Sequence, residues 1–206
     1  MDPYFKNNEM GWDVWVSKYK MENETFPEFF QRLTTHFVNN NTFLKKGIHQ
    51  NEDKLSTYGK IRFSKTKEEL ETLYLNLFNN FGYIVPGGSV LAGVGSSKPI
   101  SLSNCFVIEN NDSIQGIFDA GKDAAEIYKR RGGVGVDLSN LRPRGAAVNN
   151  AAKTTSGIVP FMELYSTITN TIGQEGRRGA LMLSIDINHP DSPEFITAKQ
   201  DLTKVT

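Results

Sequence analysis

The pattern of apolar and polar positions divides the chain into a helical first part and an alternating second part. Phe26, Phe29, Phe30, Leu33 and Phe37 recur at spacings of three and four, the stripe of an amphipathic helix. Asn39, Asn40 and Asn41 follow and are expected to end that helix. Thr66-Lys67-Glu68-Glu69 has capping-box form, and Leu70, Leu73, Tyr74, Leu77 and Phe78 continue a second stripe up to a stop at Gly82. Trp12 and Trp15 lie earlier, in a segment of mixed polarity. These stripes read as core. His36 and His49 stand apart from each other and from carboxylates at ligand spacing, so they read as structural. Pro86-Gly87-Gly88-Ser89 reads as a turn, Val90 to Val94 follows, and Gly95-Ser96-Ser97-Lys98-Pro99 forms a second loop. Small residues and hydroxyls there fit plain loop chemistry or a backbone that approaches a phosphate.

From residue 100 the pattern changes. Ser101 to Ile108 predicts a buried strand, followed by the polar turn Glu109 to Ser113. Asp112 with Gln115 resembles a capping box that opens a helix to about Arg131, with Ile114, Ile117, Phe118, Ala124, Ala125 and Tyr128 on one face. Gly132 to Leu138 is a glycine-led short strand. A long loop runs from Ser139 to about Ser156 and carries Arg142, Arg144, Gly145, Asn149, Asn150 and Lys153, the donors a phosphorylated ligand needs. Ile158 to about Gly173 predicts a helix striped by Phe161, Leu164, Tyr165, Ile168 and Ile172, with Pro160 in its first turn. Gln174 to Ala180 is a short loop in which Arg177 and Arg178 are framed by glycines. Leu181 to Ile187 predicts a strand, His189-Pro190-Asp191 a turn, and Ser192 to about Gln200 a helix with Phe195 and Ile196 inward. Strand, helix, strand, loop, helix, strand, helix in that order argues an α/β unit with a parallel sheet. Lys204-Val205-Thr206 closes nothing, and a half-built parallel sheet exposes an edge, so the expectation is a fragment or one piece of a split protein.

Composition narrows the function classes. At 206 residues, 38% of them hydrophobic, the chain is long enough to bury a core. Lys plus Arg number 23 and Asp plus Glu number 23, so no net field favours nucleic acid or an anionic membrane. No apolar run reaches bilayer length, and Met1 to Lys6 lacks the order of a secretory signal. A single cysteine excludes an internal disulfide framework and a cysteine-rich zinc site, and a reducing cytoplasmic setting is expected.

Three residue groups carry two readings each. Cys105 is an inert small hydrophobe within an apolar strand, or a redox thiol whose partner lies elsewhere. Asp112 is a helix cap or an acceptor for a ribose hydroxyl. Arg177 and Arg178 form a solvated turn or a contact to a base or phosphate.

Five segments decide how these readings combine. Ser101-Leu102-Ser103-Asn104-Cys105-Phe106, Arg131-Gly132-Gly133-Val134-Gly135-Val136, Leu141-Arg142-Pro143-Arg144-Gly145, Ser156-Gly157-Ile158-Val159-Pro160-Phe161 and Gln174-Glu175-Gly176-Arg177-Arg178-Gly179-Ala180 occur in this order. From about Val85 to Thr206 the chain resembles the large, catalytic subunit of ribonucleotide reductase, and residues 1–84 resemble that family's helical N-terminal region. The resemblance implies an α/β fold: a helical region over 1–85, then over 86–206 the first part of a ten-stranded α/β barrel. It implies reduction of the 2′-hydroxyl of ribonucleoside diphosphates by radical chemistry with a redox dithiol, in deoxyribonucleotide synthesis for DNA replication. Cys105 corresponds to one of the two redox cysteines. Ser89, Ser103 and Asn104, with Gly133 and Arg178, correspond to residues around the substrate. Asp112 corresponds to the acidic residue on the effector ribose, Arg142 to an effector-phosphate contact, and Gln174 opens the loop that passes effector identity to the substrate base. The helices at 113–130 and 157–173 correspond to the pair that builds a homodimer and its effector site.

The same resemblance implies partners and cofactors. They are a dNTP or ATP effector, the remaining part of the large subunit, a small radical-generating subunit, and thioredoxin or glutaredoxin as reductant. The chain itself is expected to bind no cofactor and no metal. The Gln174–Ala180 loop looks more like enzymes paired with a dimetal small subunit than like those using adenosylcobalamin. The thiyl-radical cysteine, the second redox cysteine, the catalytic carboxylate and the radical-transfer tyrosines have no counterpart here, so the chain alone is expected to be inactive. No clear ATP-cone sequence precedes the match. The competing reading is a non-catalytic module for nucleotide-effector binding or dimerisation.

Overall fold

Asn8 opens the first helix, α1 (Glu9–Lys18), by accepting a hydrogen bond from Gly11 N at 2.8 Å in the computed structural model, which describes residues 1–48, 54–172 and 179–200. Four more helices follow: α2 (Phe26–Ile48), α3 (Thr57–Ser64), α4 (Lys67–Phe78) and α5 (Gly88–Gly93). They belong to the first of two compact units, Met1–Leu102 and Ser103–Thr206. The stripe on α2 forms the centre of the first unit's core. Phe26, Phe29, Phe30 and Leu33 are buried with Phe5, Trp15, Phe78 and Leu91. Thr66 and Glu69 make the expected capping box, with reciprocal bonds of 3.2 and 2.8 Å.

The asparagines do not end α2, which runs on to Ile48. An asparagine costs a few tenths of a kcal/mol in a helix interior, and packing outweighs that here. Phe37 lies against Tyr74 and Phe78 of α4, with ring centroids 5.8 and 5.4 Å away. His36 contacts Asn40 at 3.3 Å, and His49 lies outside the described residues. The turn expected at Pro86–Ser89 is the entry to α5, which takes in Ser89 to Ala92. A buried ion pair holds this short helix: Arg32 Nε lies 2.7 Å from Glu24 Oε1, and its Nη1 donates to the carbonyls of Leu91 and Val94. Those carbonyls are in the last turn of α5, where backbone acceptors lack helical partners.

The second unit is a three-stranded parallel sheet in the order β1 (Cys105–Ile108), β2 (Gly133–Asp137), β3 (Leu181–Ser184). Its connections are α6 (Ile114–Tyr128) and α7 (Val159–Thr171), and α8 (Ser192–Ala198) follows β3. Ile117, Ala120, Ala124 and Tyr128 of α6 and Met162 and Tyr165 of α7 bury Val134 and Val136 of β2, with Ile108, Leu181 and Leu183 packed alongside. Both helices therefore cover the same face. The Tyr165 hydroxyl lies 3.1 Å from both Asn110 Oδ1 and the Ile117 carbonyl, and Thr169 donates to Tyr128 at 3.0 Å.

Five expectations are corrected here. The first strand begins at Cys105 and not at Ser101, and the Asn104 carbonyl just before it accepts from Gly133 N at 2.7 Å. It is an edge strand with one uncovered face, so it is not buried throughout. Ser113, not Asp112, caps α6 by accepting from Gly116 N at 3.0 Å, and Ile114 and Phe118 are exposed. Ile196 of α8 also points to solvent, while Phe195 packs on the core. No described helix is long and apolar enough to cross a membrane.

Burial pushes the Tyr165 hydroxyl up to about 12, and burial raises Tyr128 as well. Both groups hold their protons in the folded state after the unfolded chain has lost them. Stability is therefore expected to fall as pH rises from about 10, the unfolded value, towards about 12. Urea unfolding between those limits should show that slope, and Tyr165→Phe should reduce it while costing about 1–3 kcal/mol at neutral pH through the unpaired Asn110 and Ile117 acceptors.

Candidate functional site

The sheet has one covered and one open face, and the sequence of β2 explains why. Residues two apart share a face. Val134 and Val136 turn toward the helices, which leaves Gly133, Gly135 and Asp137 on the other side. In register with them on that side are Cys105, Val107, Met182 and Ser184. Val107 is 88% exposed and Met182 is 72% exposed. Cys105 is a free, exposed thiol beside Gly133, and a groove of about 470 Å³ runs over the strand starts between Cys105, Gly133, Gly179 and Leu181. With no Cβ on Gly133 or Gly135, this part of the sheet is a backbone floor on which a planar or ring-shaped ligand can rest. At the other end of β2, Asp137 Oδ1 accepts from Ser139 Oγ at 2.6 Å and from Ser184 Oγ at 3.2 Å. The Ser139 hydrogen bonds hold that carboxyl below the usual carboxylate range.

A second cavity, about 360 Å³, lies under the long loop. Asp112, Ser113 and Ile114 form one wall, Leu141 and Arg142 another, Asn149, Asn150 and Thr154 to Ser156 a third, and Phe161 of α7 also lines it. Arg142 Nε donates to Asp112 Oδ2 at 2.8 Å, and its Nη1 donates to the Ala147 carbonyl at 2.9 Å. The pair is partly exposed, with side-chain exposures of 38% and 33%. An incoming anion can compete with Asp112 for the guanidinium, and the freed carboxylate can then accept from a hydroxyl. The loop is a narrow hairpin: Gly145 N donates to Thr155 O, Thr155 N to Ala146 O, and Val148 N to Lys153 O, all within 2.9–3.0 Å.

The family model described as ribonucleotide reductase, barrel domain, matches residues 103–205. The chain belongs to this family. A vitamin B12-dependent ribonucleoside-diphosphate reductase of Thermoplasma acidophilum is 39% identical over 147 residues, covering 69% of this chain and 19% of that protein. The alignment thus reaches beyond the second unit into the first. The ribonucleoside-diphosphate reductase subunit alpha of Synechocystis is 34% identical over 113 residues, 54% of this chain and 13% of that protein. Among solved structures, the class Id ribonucleotide reductase alpha subunit of Actinobacillus ureae aligns with a TM-score of 0.67 at 21% identity, over 95% of this chain and 30% of its own. That likeness concerns the fold: a helical region followed by part of an α/β barrel whose sheet is not closed here. The chain spans less than a fifth of the length of the curated reductases it matches.

The fold places the predicted site residues unequally. Cys105 and Gly133 are direct neighbours across the β1–β2 ladder. Ser103 and Asn104 are exposed and lead into β1. Asp112 and Arg142 meet in the loop pocket. Ser89 lies in the first unit, buried on α5, and its hydroxyl has no hydrogen-bond partner among the described residues. Gln174 and Arg178 lie outside the described residues. The local reading of Cys105 as buried packing is corrected by its exposure. Sequence reasoning missed the open face itself. Its signal was present in Gly133-Val134-Gly135-Val136, where glycine at alternate positions strips one side of a strand.

An exposed thiol reacts without unfolding. Titration of the native chain with a chromogenic disulfide is expected to count one thiol per chain, at a rate within about tenfold of that in denaturant, and Cys105→Ser should count none. A thiol that reacts only after denaturation would contradict the placement of Cys105.

Proposed function

We propose that this chain contributes half of a redox dithiol and a nucleotide-effector pocket to a ribonucleotide reductase large subunit acting on ribonucleoside diphosphates. The observation that carries the reading is Cys105, an exposed thiol beside the glycine floor of β2 on the uncovered face of a parallel sheet. Replacing a 2′-hydroxyl by hydrogen releases water and takes up two electrons. Two thiols supply them: the C–O bond breaks, one thiol proton leaves with the hydroxyl as water, the other proton and the two electrons form the new C–H bond, and one disulfide forms. The chain has a single cysteine, so the second thiol comes from the rest of the subunit. Ser103 and Asn104 take the substrate alongside Gly133, the resemblance assigns Ser89 and Arg178 to the substrate as well, and thioredoxin or glutaredoxin reduces the disulfide afterwards.

The loop pocket takes the effector, a dNTP or ATP. Arg142 supplies a cation and the Thr154–Ser156 segment supplies hydroxyls and amides, a donor set that fits a polyphosphate. Asp112 accepts from the ribose, and Gln174, by the resemblance, opens the loop that passes effector identity to the substrate base. α6 and α7 form the contact of a homodimer, which uses the exposed Ile114 and Phe118. Matching relatives bear both vitamin B12-dependent and subunit-alpha names. The likeness of the Gln174–Ala180 loop supports a dimetal small subunit, and the 39% identity to the Thermoplasma protein supports adenosylcobalamin. The group supplies a radical to the large subunit in either case. A second reading, a nucleotide-binding module without turnover, draws on the loop pocket being lined without Cys105.

The test is turnover by the completed large subunit with ribonucleoside diphosphate and thioredoxin, with a dimetal small subunit in one arm and adenosylcobalamin in the other. Deoxyribonucleotide should form in one arm, and Cys105→Ser should abolish multiple turnover. Arg142→Ala should raise the effector concentration for half-activation about tenfold or more, the loss of a charge-assisted hydrogen bond. Wild-type turnover by Cys105→Ser would sink the dithiol assignment, and effector binding without turnover in either arm would favour the module.

A further inference from the structure

The geometry points to Asp191 as a positioning residue for the loop pocket, a role that rests on reading that pocket as the effector site. Asp191 stands just before α8, where an aspartate ordinarily caps its own helix. Its side chain makes no such bond. Only 6% exposed, it reaches across the fold: Oδ1 and Oδ2 accept from Arg144 N at 3.1 and 3.0 Å, and Oδ2 also accepts from Ile158 N at 3.1 Å. One carboxylate thus binds both limbs of the long loop at their base. Gly157 completes the fit. Its φ is +85°, and a Cβ there would lie 2.5 Å from Asp191 Oδ2. Only glycine lets the outgoing limb pass this close.

His189 adds a second anchor. Its Nε2 lies 2.8 Å from the Leu141 carbonyl, which can only accept, so Nε2 carries the proton. Nδ1 then accepts from Asp191 N at 3.1 Å, which orients the aspartate. On the incoming limb the anchored groups are Leu141 O and Arg144 N, one on each side of Arg142. On the outgoing limb the anchored group is Ile158 N, just after the pocket-lining stretch Thr154 to Ser156. Arg142 therefore meets Asp112 from a backbone fixed at both flanks. Asp191 touches no ligand position itself and acts through Arg142 and the hydroxyls of the outgoing limb.

The test uses the completed large subunit. Equilibrium binding of labelled dTTP, dGTP and ATP gives the effector Kd, and steady-state kinetics at saturating effector give the substrate KM. Asp191→Ala removes every acceptor and is expected to weaken effector binding about tenfold or more, with substrate KM changed by a much smaller factor. Asp191→Asn retains one oxygen that can accept from both amides and should recover most of the loss. Glu194→Gln, which alters only the exposed partner of Arg144, should bind effector as wild type does. If Asp191→Ala fails to fold, His189→Gln carries the test, with an expected weakening of about threefold. Wild-type Kd values in Asp191→Ala, or in His189→Gln where that carries the test, would overturn the proposal. So would an equal rise of Kd and KM, the mark of a general structural loss. A wild-type subunit that binds none of the three nucleotides overturns the effector reading itself, before any variant is compared.

Discussion

The alternation of glycine and valine along β2 constrains the rest of the second unit. Val134 and Val136 must be covered, and α6 and α7 cover them from one side. The intervening glycines offer nothing to bury, so the other side stays open. Parallel pairing then sets Cys105 opposite Gly133 and Val107 opposite Gly135. A slip of one residue would turn Cys105 into the helix-packed core and expose Phe106 and Ile108 in its place. The position of the thiol follows from hydrophobic burial on the far side of the sheet more than from any contact the thiol itself makes.

The first unit depends on a different kind of contact. Its core is aromatic, and rings on α1, α2 and α4 meet at centroid distances near 5 Å. Apolar packing alone leaves α5, only six residues long, weakly fixed. Arg32 supplies the missing constraint by donating to two carbonyls at its end while Glu24 neutralises the charge. The pair is largely out of water, so removal of either partner leaves a buried charge without compensation. Ser89 takes its place from this clamp.

What was legible in the sequence is what is local. Stripes at three and four marked α2, α4, α6 and α7, and the Thr66–Glu69 capping box formed as written. The strand–helix order led to the parallel sheet and, through five short segments, to the family. What was not legible depends on residues far apart in the chain. Asn39 to Asn41 stay helical because Phe37 has partners on α4. Asp112 leaves the cap of α6 to Ser113 because Arg142, 30 residues away, takes its carboxylate. Asp191 looked like part of a turn because its partners are 33 and 47 residues back. Both aspartates sit at the start of a helix, and both are diverted to the same loop.

The two cavities of the second unit share α7. Phe161, in its first turn, lines the loop pocket, and Thr169, in its last, lines the groove beside Cys105. Eight residues of helix separate them, about 12 Å of axis. Over that distance α7 is tied to its neighbours by Tyr165 against Asn110 and Ile117, and by Thr169 against Tyr128. A change at the loop pocket that moved Phe161 could not be absorbed within so short and so tethered a helix, because packed interiors shift as units. On the proposed reading, an effector in the loop pocket is then felt at the groove through α7. The distinction between a rigid link and a switch is whether α7 has two resting positions, since a ligand shifts an equilibrium only by its differential affinity for two states. The buried Tyr165 hydroxyl, placed between two acceptors at equal distances, is the group whose partner choice would differ between them.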